Sequence, residues 1–194
     1  LVLVISVVNG FDRELRDRVL ALLPHVSISS DQGIPADHPL MLTELPAASG
    51  LESLAPYIQS TGLVAANGRI QPVEMTGVEA SSYNRVSRVE DYLRAGTLAG
   101  LEEKNFTIII GAKLARQLEV GIGDDLVLML PNAQLSIAGA IARQRRFEIV
   151  DVFESQSQLD GSGVFVSLRS AQLLLRMRGE IHGFQGRLTD LFAT

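Results

Sequence analysis

The stretch Leu63-Val-Ala-Ala-Asn-Gly-Arg-Ile-Gln-Pro-Val-Glu-Met-Thr-Gly-Val78 decides the fold class. Asn-Gly is the pair best suited to a two-residue turn with positive φ at both positions. Apolar runs flank it, so Leu63 to Ala66 and Ile70 to Val78 read as the two arms of a β-hairpin. Before the hairpin, Ser49-Gly-Leu-Glu52 has capping-box spacing, and Leu51, Leu54, Ala55 and Ile58 supply a helical stripe ending at Gly62. Pro56 inside that stripe predicts a kink or a shorter helix. Further upstream, Val26 and Ile28 alternate like a half-buried strand over His25 to Ser29, and Ser30 to Pro46 reads as loop, broken by Gly33, Pro35, Pro39 and Pro46. Phe11, Leu15, Val19, Leu22 and Leu23 fall on one face of a helix that Pro24 ends. The order helix, strand, helix, strand pair predicts an α+β fold with helices covering one face of a sheet.

Beyond Val78 the periodicity weakens until Glu103, with short helical pieces around Val86 to Arg94. Thr107 to Ile110 then reads as a buried strand and Ala112 to Leu118 as a short helix. Gly121 terminates that helix, and Gly123-Asp124 turns into a strand over Asp125 to Leu130. Arg146 to Phe153 and Gly163 to Val166 are further strands, Ser167 to Arg178 a helix, and His182 to Leu188 one more strand.

The chain has 194 residues, 46% hydrophobic and 20% charged, which is the composition of a folded globular protein. Its net charge of −5 comes from interspersed acids and bases, so it carries no electrostatic footprint for nucleic acid and no polybasic membrane patch. Without cysteine there are no thiolate metal sites, disulfides or thiol nucleophiles. Leu1 to Val8 is an apolar run broken only by Ser6 and has no preceding Met. It is expected to be the end of a transmembrane helix in a longer protein, the alternative being a buried first strand rich in Val and Ile.

Nothing in the chain assembles an acid, a base and a nucleophile. His25, His38 and His182 are far apart and show no HExxH pattern. Gly161-Ser162-Gly163 lacks the spacing of a nucleophile elbow, so Ser162 is read as a turn residue. Gly121 and Gly123 follow a helix and lead into a strand, the reverse of the order that aims helix amides at a phosphate. Glu90 and Asp91, adjacent on a helix, face different ways, and Glu102 and Glu103 read as solvated. No catalytic residue, metal or cofactor is therefore expected.

The segment Pro131-Asn-Ala-Gln-Leu-Ser-Ile-Ala-Gly-Ala-Ile-Ala-Arg-Gln-Arg-Arg-Phe147 is different. Hairpin connections usually need about two to five residues, and a longer one is functional or disordered. Leu135, Ile137, Ala138, Gly139, Ala140 and Ile141 make an apolar tip, and Arg143, Gln144, Arg145 and Arg146 a basic base. The basic run is either the solvated end of a strand or a set of planar donors for a partner protein's carboxylates and carbonyls. An apolar anchor beside a polar rim favours the second.

Three stretches resemble the periplasmic portion of the LolC/LolE family of lipoprotein-releasing ABC transporter permeases. They are Val4-Ile-Ser-Val-Val-Asn-Gly-Phe-Asp-Arg-Glu-Leu15, Ile108-Ile-Ile-Gly-Ala-Lys-Leu-Ala-Arg-Gln-Leu-Glu-Val-Gly-Ile-Gly-Asp-Asp-Leu126, and Arg143-Gln-Arg-Arg-Phe-Glu-Ile-Val-Asp-Val-Phe-Glu-Ser-Gln-Ser-Gln-Leu-Asp-Gly161. The resemblance implies a MacB-like periplasmic core held outside the bacterial inner membrane. Residues 9–78 would be the first part of a porter-like lobe, 79–178 an inserted, mainly β sabre-like lobe, and 179–194 a truncated second part of the porter-like lobe. It also implies a non-catalytic permease subunit working with a second permease subunit and a separate cytoplasmic ATPase, moving lipoprotein cargo to a LolA-type carrier. A hook loop would lie at 131–142, starting with Pro131, and Gln144-Arg145 is similar to the Gln-Arg pair of the family's pad. The chain departs from the family pattern at Ile137-Ala138-Gly139, where a proline often precedes the tip, and at Val127, where a further pad arginine is expected. The LolC-type, LolE-type and combined forms of the permease all remain open, with the Ala-Gly tip and Arg-Gln-Arg-Arg-Phe leaning to the LolC-type or combined form.

Overall fold

The computed structural model describes residues 24, 26–35, 51–130 and 143–188. The expected transmembrane end at Leu1 to Val8, the helix at Phe11 to Leu23, His25, His38, the loop from Pro131 to Ala142 and the tail from 189 lie outside the described residues.

The described strands are β1 (Val26–Pro35), β2 (Leu51–Ala66), β3 (Arg69–Val78), β4 (Thr107–Gly111), β5 (Asp125–Leu130), β6 (Arg143–Phe153), β7 (Gly163–Ser167) and β8 (Glu180–Leu188). They hydrogen-bond in the order β1-β8-β2-β3-β7-β4-β6-β5, and β2 pairs a second time with β5. That extra pairing closes β2, β3, β7, β4, β6 and β5 into a ring, while β8 and β1 extend from the first half of β2 as an open wing. The hairpin expected at Leu63 to Val78 is therefore part of the ring.

The helix expected over Leu51 to Ile58 is instead the first half of β2. Leu51, Leu54, Ala55 and Ile58 fit a helical stripe by coincidence of spacing. Pro56 would cost a helix interior about 3 kcal/mol through its missing N–H and ring clash. In β2 its position is tolerated, and it lies opposite Phe184 of β8. Pairing along β8 and then β3 outweighs the local helical signal, a tertiary override that one strand's sequence does not display. Similarly, β1 runs into the stretch read as loop, through an irregularity between Ser29 and Ile34 and a positive φ of 75° at Gly33.

At the hairpin tip Asn67 and Gly68 have φ of 52° and 74°, as the two-residue turn requires. The tip is anchored to the end of helix α3. The helices are α1 (Ala80–Val86), α2 (Gly100–Glu103), α3 (Ala112–Leu118), α4 (Leu159–Ser162) and α5 (Leu168–Leu175), with a short 3-10 turn at Val89–Tyr92. Asn67 Nδ2 donates to the carbonyls of Leu118 and Glu119 at 3.1 and 2.9 Å, and Arg69 donates to that of Gln117 at 2.9 Å. These bonds satisfy carbonyls that a helix C-terminus leaves without partners. Helix α3 stops at Glu119, which takes the left-handed conformation with φ 55°, two residues before the Gly121 terminator expected from sequence.

Strand β4 separates two cores. Ile108 and Ile110 join a cluster that takes buried side chains from all six ring strands and from α3 and α5. Ile109 points the other way, into a cluster with Tyr83, Val86, Leu98, Leu101, Phe153 and Phe165 under α1, α2 and the 3-10 turn. A strand covered on both faces reads as an unbroken apolar run, which is why Ile-Ile-Ile was legible.

Tyr83 is buried in the second cluster. Burial pushes its phenol up to about 12, partly opposed by a hydrogen bond with Ser87. The raised value disfavours the phenolate in the folded state only. Its contribution to stability is complete below the unfolded value near 10 and is lost as pH climbs to about 12, a fall of roughly 2–3 kcal/mol. Urea midpoints measured from pH 9 to 12 should fall more steeply in the parent than in Tyr83→Phe; parallel curves would remove Tyr83 as the cause.

Candidate functional site

Strands β5 and β6 form an antiparallel ladder from Asp125↔Glu148 to Leu130↔Arg143. The last pair brackets residues 131–142, with Leu130 and Arg143 side by side at an end of the ring. Strand β6 begins at Arg143, three residues earlier than its sequence predicts. The basic run thus lies within a strand, where successive side chains point to opposite faces.

This alternation divides the four residues. Arg143 and Arg145 share a face with Phe147, which is fully buried in the ring core. Arg143 donates to the Leu175 carbonyl at the C-terminus of α5, where the helix dipole favours a cation. Arg145 is exposed, and its guanidinium lies 5.8 Å from the centre of the Phe106 ring, a cation–π contact. Phe106 packs edge-on to Phe147 at 5.5 Å. Gln144 and Arg146 emerge on the opposite, solvent-facing side. Arg146 reaches Asp125 at 3.5 Å, an exposed pair of little energetic weight. Of the sequence-predicted residues, Arg143 is engaged within the chain, whereas Gln144, Arg145 and Arg146 are exposed. Pro131, Leu135, Ile137, Ala138, Gly139, Ala140 and Ile141 lie outside the described residues.

Registers between the strands assemble a surface that sequence reading did not find. On the outer face, Ile70 of β3 stands beside Ala65 of β2, Val127 of β5 and Arg146 of β6. The next row holds Pro72, Leu63, Met129 and Gln144. Ile70 is 59% exposed and Leu63 44%. The available signal was the hairpin itself, which puts Leu63 and Ala65 on one face with Ile70 and Pro72; the adjacency of β5 is not local and could not be read.

A polar cleft of about 500 Å³ is lined by Ser29, Tyr57, Gln59, Ser60, Thr61, Glu74 and His182. There the Gln59 amide donates to Nδ1 of His182 at 3.2 Å, just past the last β2–β8 pair, Tyr57↔Gly183. Ser162 ends α4 and leads into β7, the reverse of a strand-to-helix elbow. Glu102 is exposed, as its sequence predicts, and also accepts the Ala80 backbone amide at 2.8 Å at the start of α1. Among the described residues no three of His, Asp and Glu gather as a metal site, and no helix is long and apolar enough to cross a membrane.

Comparison with known proteins agrees with this architecture. The chain is 29% identical over 191 residues to lipoprotein-releasing system transmembrane protein LolC of Neisseria meningitidis serogroup B, covering 98% of this chain and 46% of that protein. LolC of Xylella fastidiosa strain 9a5c is 30% identical over 98% of this chain and 46% of its own length. LolE of Haemophilus influenzae is 26% identical over 100% of this chain and 47% of its own length. The chain thus spans about half the length of these relatives. Among solved structures, the extracellular domain of the noncanonic ABC-type transporter YknZ from Gram-positive bacteria superposes with a TM-score of 0.53 at 14% identity, covering 87% of this chain and 84% of that one. The periplasmic region of MacB from Actinobacillus actinomycetemcomitans gives 0.52 at 12% identity, covering 88% and 69%. These two support the fold alone. The family described as the MacB-like periplasmic core domain matches residues 1–191, and the chain, an α+β domain of that fold, belongs to it.

Proposed function

We propose that the chain is the periplasmic part of an inner-membrane ABC transporter permease that releases lipoproteins and docks a LolA-type carrier. In this reading it is non-catalytic, acts with a second permease subunit and a separate cytoplasmic ATPase, and transmits their motion to the carrier and its lipoprotein cargo. Residues 9–78 and 179–194 belong to the porter-like lobe and 79–178 to the inserted sabre-like lobe, with β2 and β3 of the first paired into the same ring as the strands of the second. Residues 131–142 serve as the hook, and Gln144, Arg145 and Arg146 as the pad beside it. The observation that carries the reading is similarity to LolC and LolE proteins across nearly all of this chain. The ladder pair Leu130↔Arg143 supports it further, because it joins the proposed hook directly to the proposed pad.

The test replaces Ile137 to Ile141 by a short Gly-Ser turn in the full-length permease, assembled with its partner subunit and ATPase. Truncating a buried interface anchor commonly costs on the order of 2 kcal/mol or more, so carrier affinity should fall by at least about thirtyfold. Photocrosslinkers at Ala138 and Arg145 should each yield an adduct of the carrier's mass in the parent. Undiminished carrier capture by the replaced loop, with assembly and ATPase activity intact, overturns the carrier reading and favours a LolE-like or regulatory domain.

A further inference from the structure

We infer that the gap between β2 and β8 is a binding site for an extended polar peptide with a basic side chain, which adds to the open edge of β2. The inference goes beyond the carrier reading and does not rest on it. On the edge of β2 away from β3, β8 pairs up to Tyr57↔Gly183 and β5 pairs from Leu63↔Met129. Ile58 to Gly62 lie between them and have no ladder partner on that edge among the described residues. At about 3.3 Å per residue the interval from Tyr57 to Leu63 is roughly 20 Å long, room for a strand of about four or five residues. Its segment Gln59-Ser-Thr-Gly62 carries no proline or lysine of the kind that blunts an open edge.

The groups along the gap suit a peptide backbone. The Gln59 amide donates to Nδ1 of His182, so its N–H points away from β3. Successive residues of a strand present their amides to opposite edges, which puts the Gln59 carbonyl and both the N–H and the carbonyl of Thr61 on the same open edge. The Thr61 carbonyl accepts only the Ser60 hydroxyl, at 3.4 Å. His182 accepts at Nδ1, which leaves Nε2 as the donor of the neutral ring, so the imidazole carries the occupied Gln59 donor forward. Donors and acceptors thus alternate along one wall, the pattern with which an added strand pairs.

The cleft of about 500 Å³ beside this wall sets the chemistry of the side chains. Glu74 lies opposite Thr61 in the β2–β3 register, is exposed, and forms no ion pair among the described residues. It is the one carboxylate in the lining, and no lysine or arginine accompanies it. A basic side chain on the bound strand therefore meets an unengaged partner. Every lining side chain carries a polar group, which disfavours an acyl chain, and Glu74 disfavours an anion.

The experiment follows binding of the peptide Thr-Thr-Lys-Thr-Thr, capped at both ends, to the full-length permease assembled with its partner subunit and ATPase, by saturation-transfer NMR. Saturable binding is expected. Methylating the peptide's backbone nitrogens, or replacing its lysine by glutamate, should weaken binding about tenfold or more. Glu74→Lys should weaken binding of the lysine peptide to the same extent and recover that of the glutamate peptide. Thr61→Pro removes only the outward N–H, at an edge where a strand tolerates proline, and should also cost about tenfold. The charge swap keeps the test decisive if Thr61→Pro fails to assemble. Leu173→Glu, a 49% exposed position on α5, should bind as the parent does. The Gly-Ser loop variant should bind the peptide normally too, so this site and the carrier reading fail separately. No saturable binding up to about 1 mM peptide, or equal binding by the N-methylated peptide, overturns the proposal. Equal binding of the lysine peptide by the parent and Glu74→Lys overturns it as well.

Discussion

Gly111→Ala is expected to destabilise the chain by about 3 kcal/mol and lower its thermal midpoint by roughly 6–12 °C. Gly111 ends β4 with φ −70° and ψ 148°, a conformation open to any residue, so backbone strain is not the cause. The added methyl would lie 2.4 Å from the Asp160 carbonyl oxygen and 2.6 Å from its carbonyl carbon and Cα. These are backbone atoms of α4, and they cannot retreat cheaply. The Asp160 carboxylate accepts the Ser155 amide at 2.9 Å, the Ser155 hydroxyl at 2.6 Å and the Gln156 amide at 2.9 Å, all in a buried or half-buried turn. Gly100→Ala makes the control: its new methyl meets nothing nearer than 3.7 Å, and it starts helix α2, so stability should hold or rise slightly. Thermal unfolding by circular dichroism decides. A Gly111→Ala midpoint within 2 °C of the parent, taken as roughly half a kcal/mol, would show that the β4–α4 approach is looser than described.

Phe153→Ala should cost about 3–5 kcal/mol, and Phe153→Leu clearly less. Phe153 is fully buried on the face of β6 opposite the ring interior. Its ring meets Phe165 edge-on at 5.5 Å, and Phe165 in turn lies 5.9 Å from Tyr83. These three aromatics run in series from β6 through β7 to α1, so truncation removes the first of the two ring contacts and opens a cavity in the cluster beneath the helices. Leucine refills much of the volume but loses the edge-to-face geometry. Urea unfolding should show a lower midpoint with an unchanged slope, as for a lost packing contact. An alanine variant less than about 1 kcal/mol below the parent would mean that the layer is held chiefly by other residues.

How far the sequence displays this structure depends on whether the deciding interaction is local. The Asn67-Gly68 turn, the Ile108 to Ile110 run, the helix Ala112 to Leu118 and the strand Asp125 to Leu130 all carry their signals within a few residues, and they occur as predicted. Leu51 to Ile58 does not. Its spacing fits a helix, and its strand character comes from β8 and β3, with Pro56 the only local hint. The site follows the same rule. The basic run is visible in sequence, but its division into Arg143 and Arg145 on one face and Gln144 and Arg146 on the other requires that β6 start at Arg143. Leu63 and Ile70 join the candidate surface only because β5 lies against β2, a pairing between segments far apart in the chain.

Ring closure also governs how this protein can form. Strand β3 must wait for β7, and β2 for β5, before their outer edges are covered, although each is complete in sequence much earlier. Closing such long loops costs entropy before any ladder bond compensates it, so folding is expected to be slow for a chain of this size. A nascent chain released before β7 would hold β3 and β4 with bare edges, the arrangement most prone to pairing with a neighbouring molecule. The chain's exposure to aggregation is therefore concentrated in the interval between making the hairpin and making the strand that seals it.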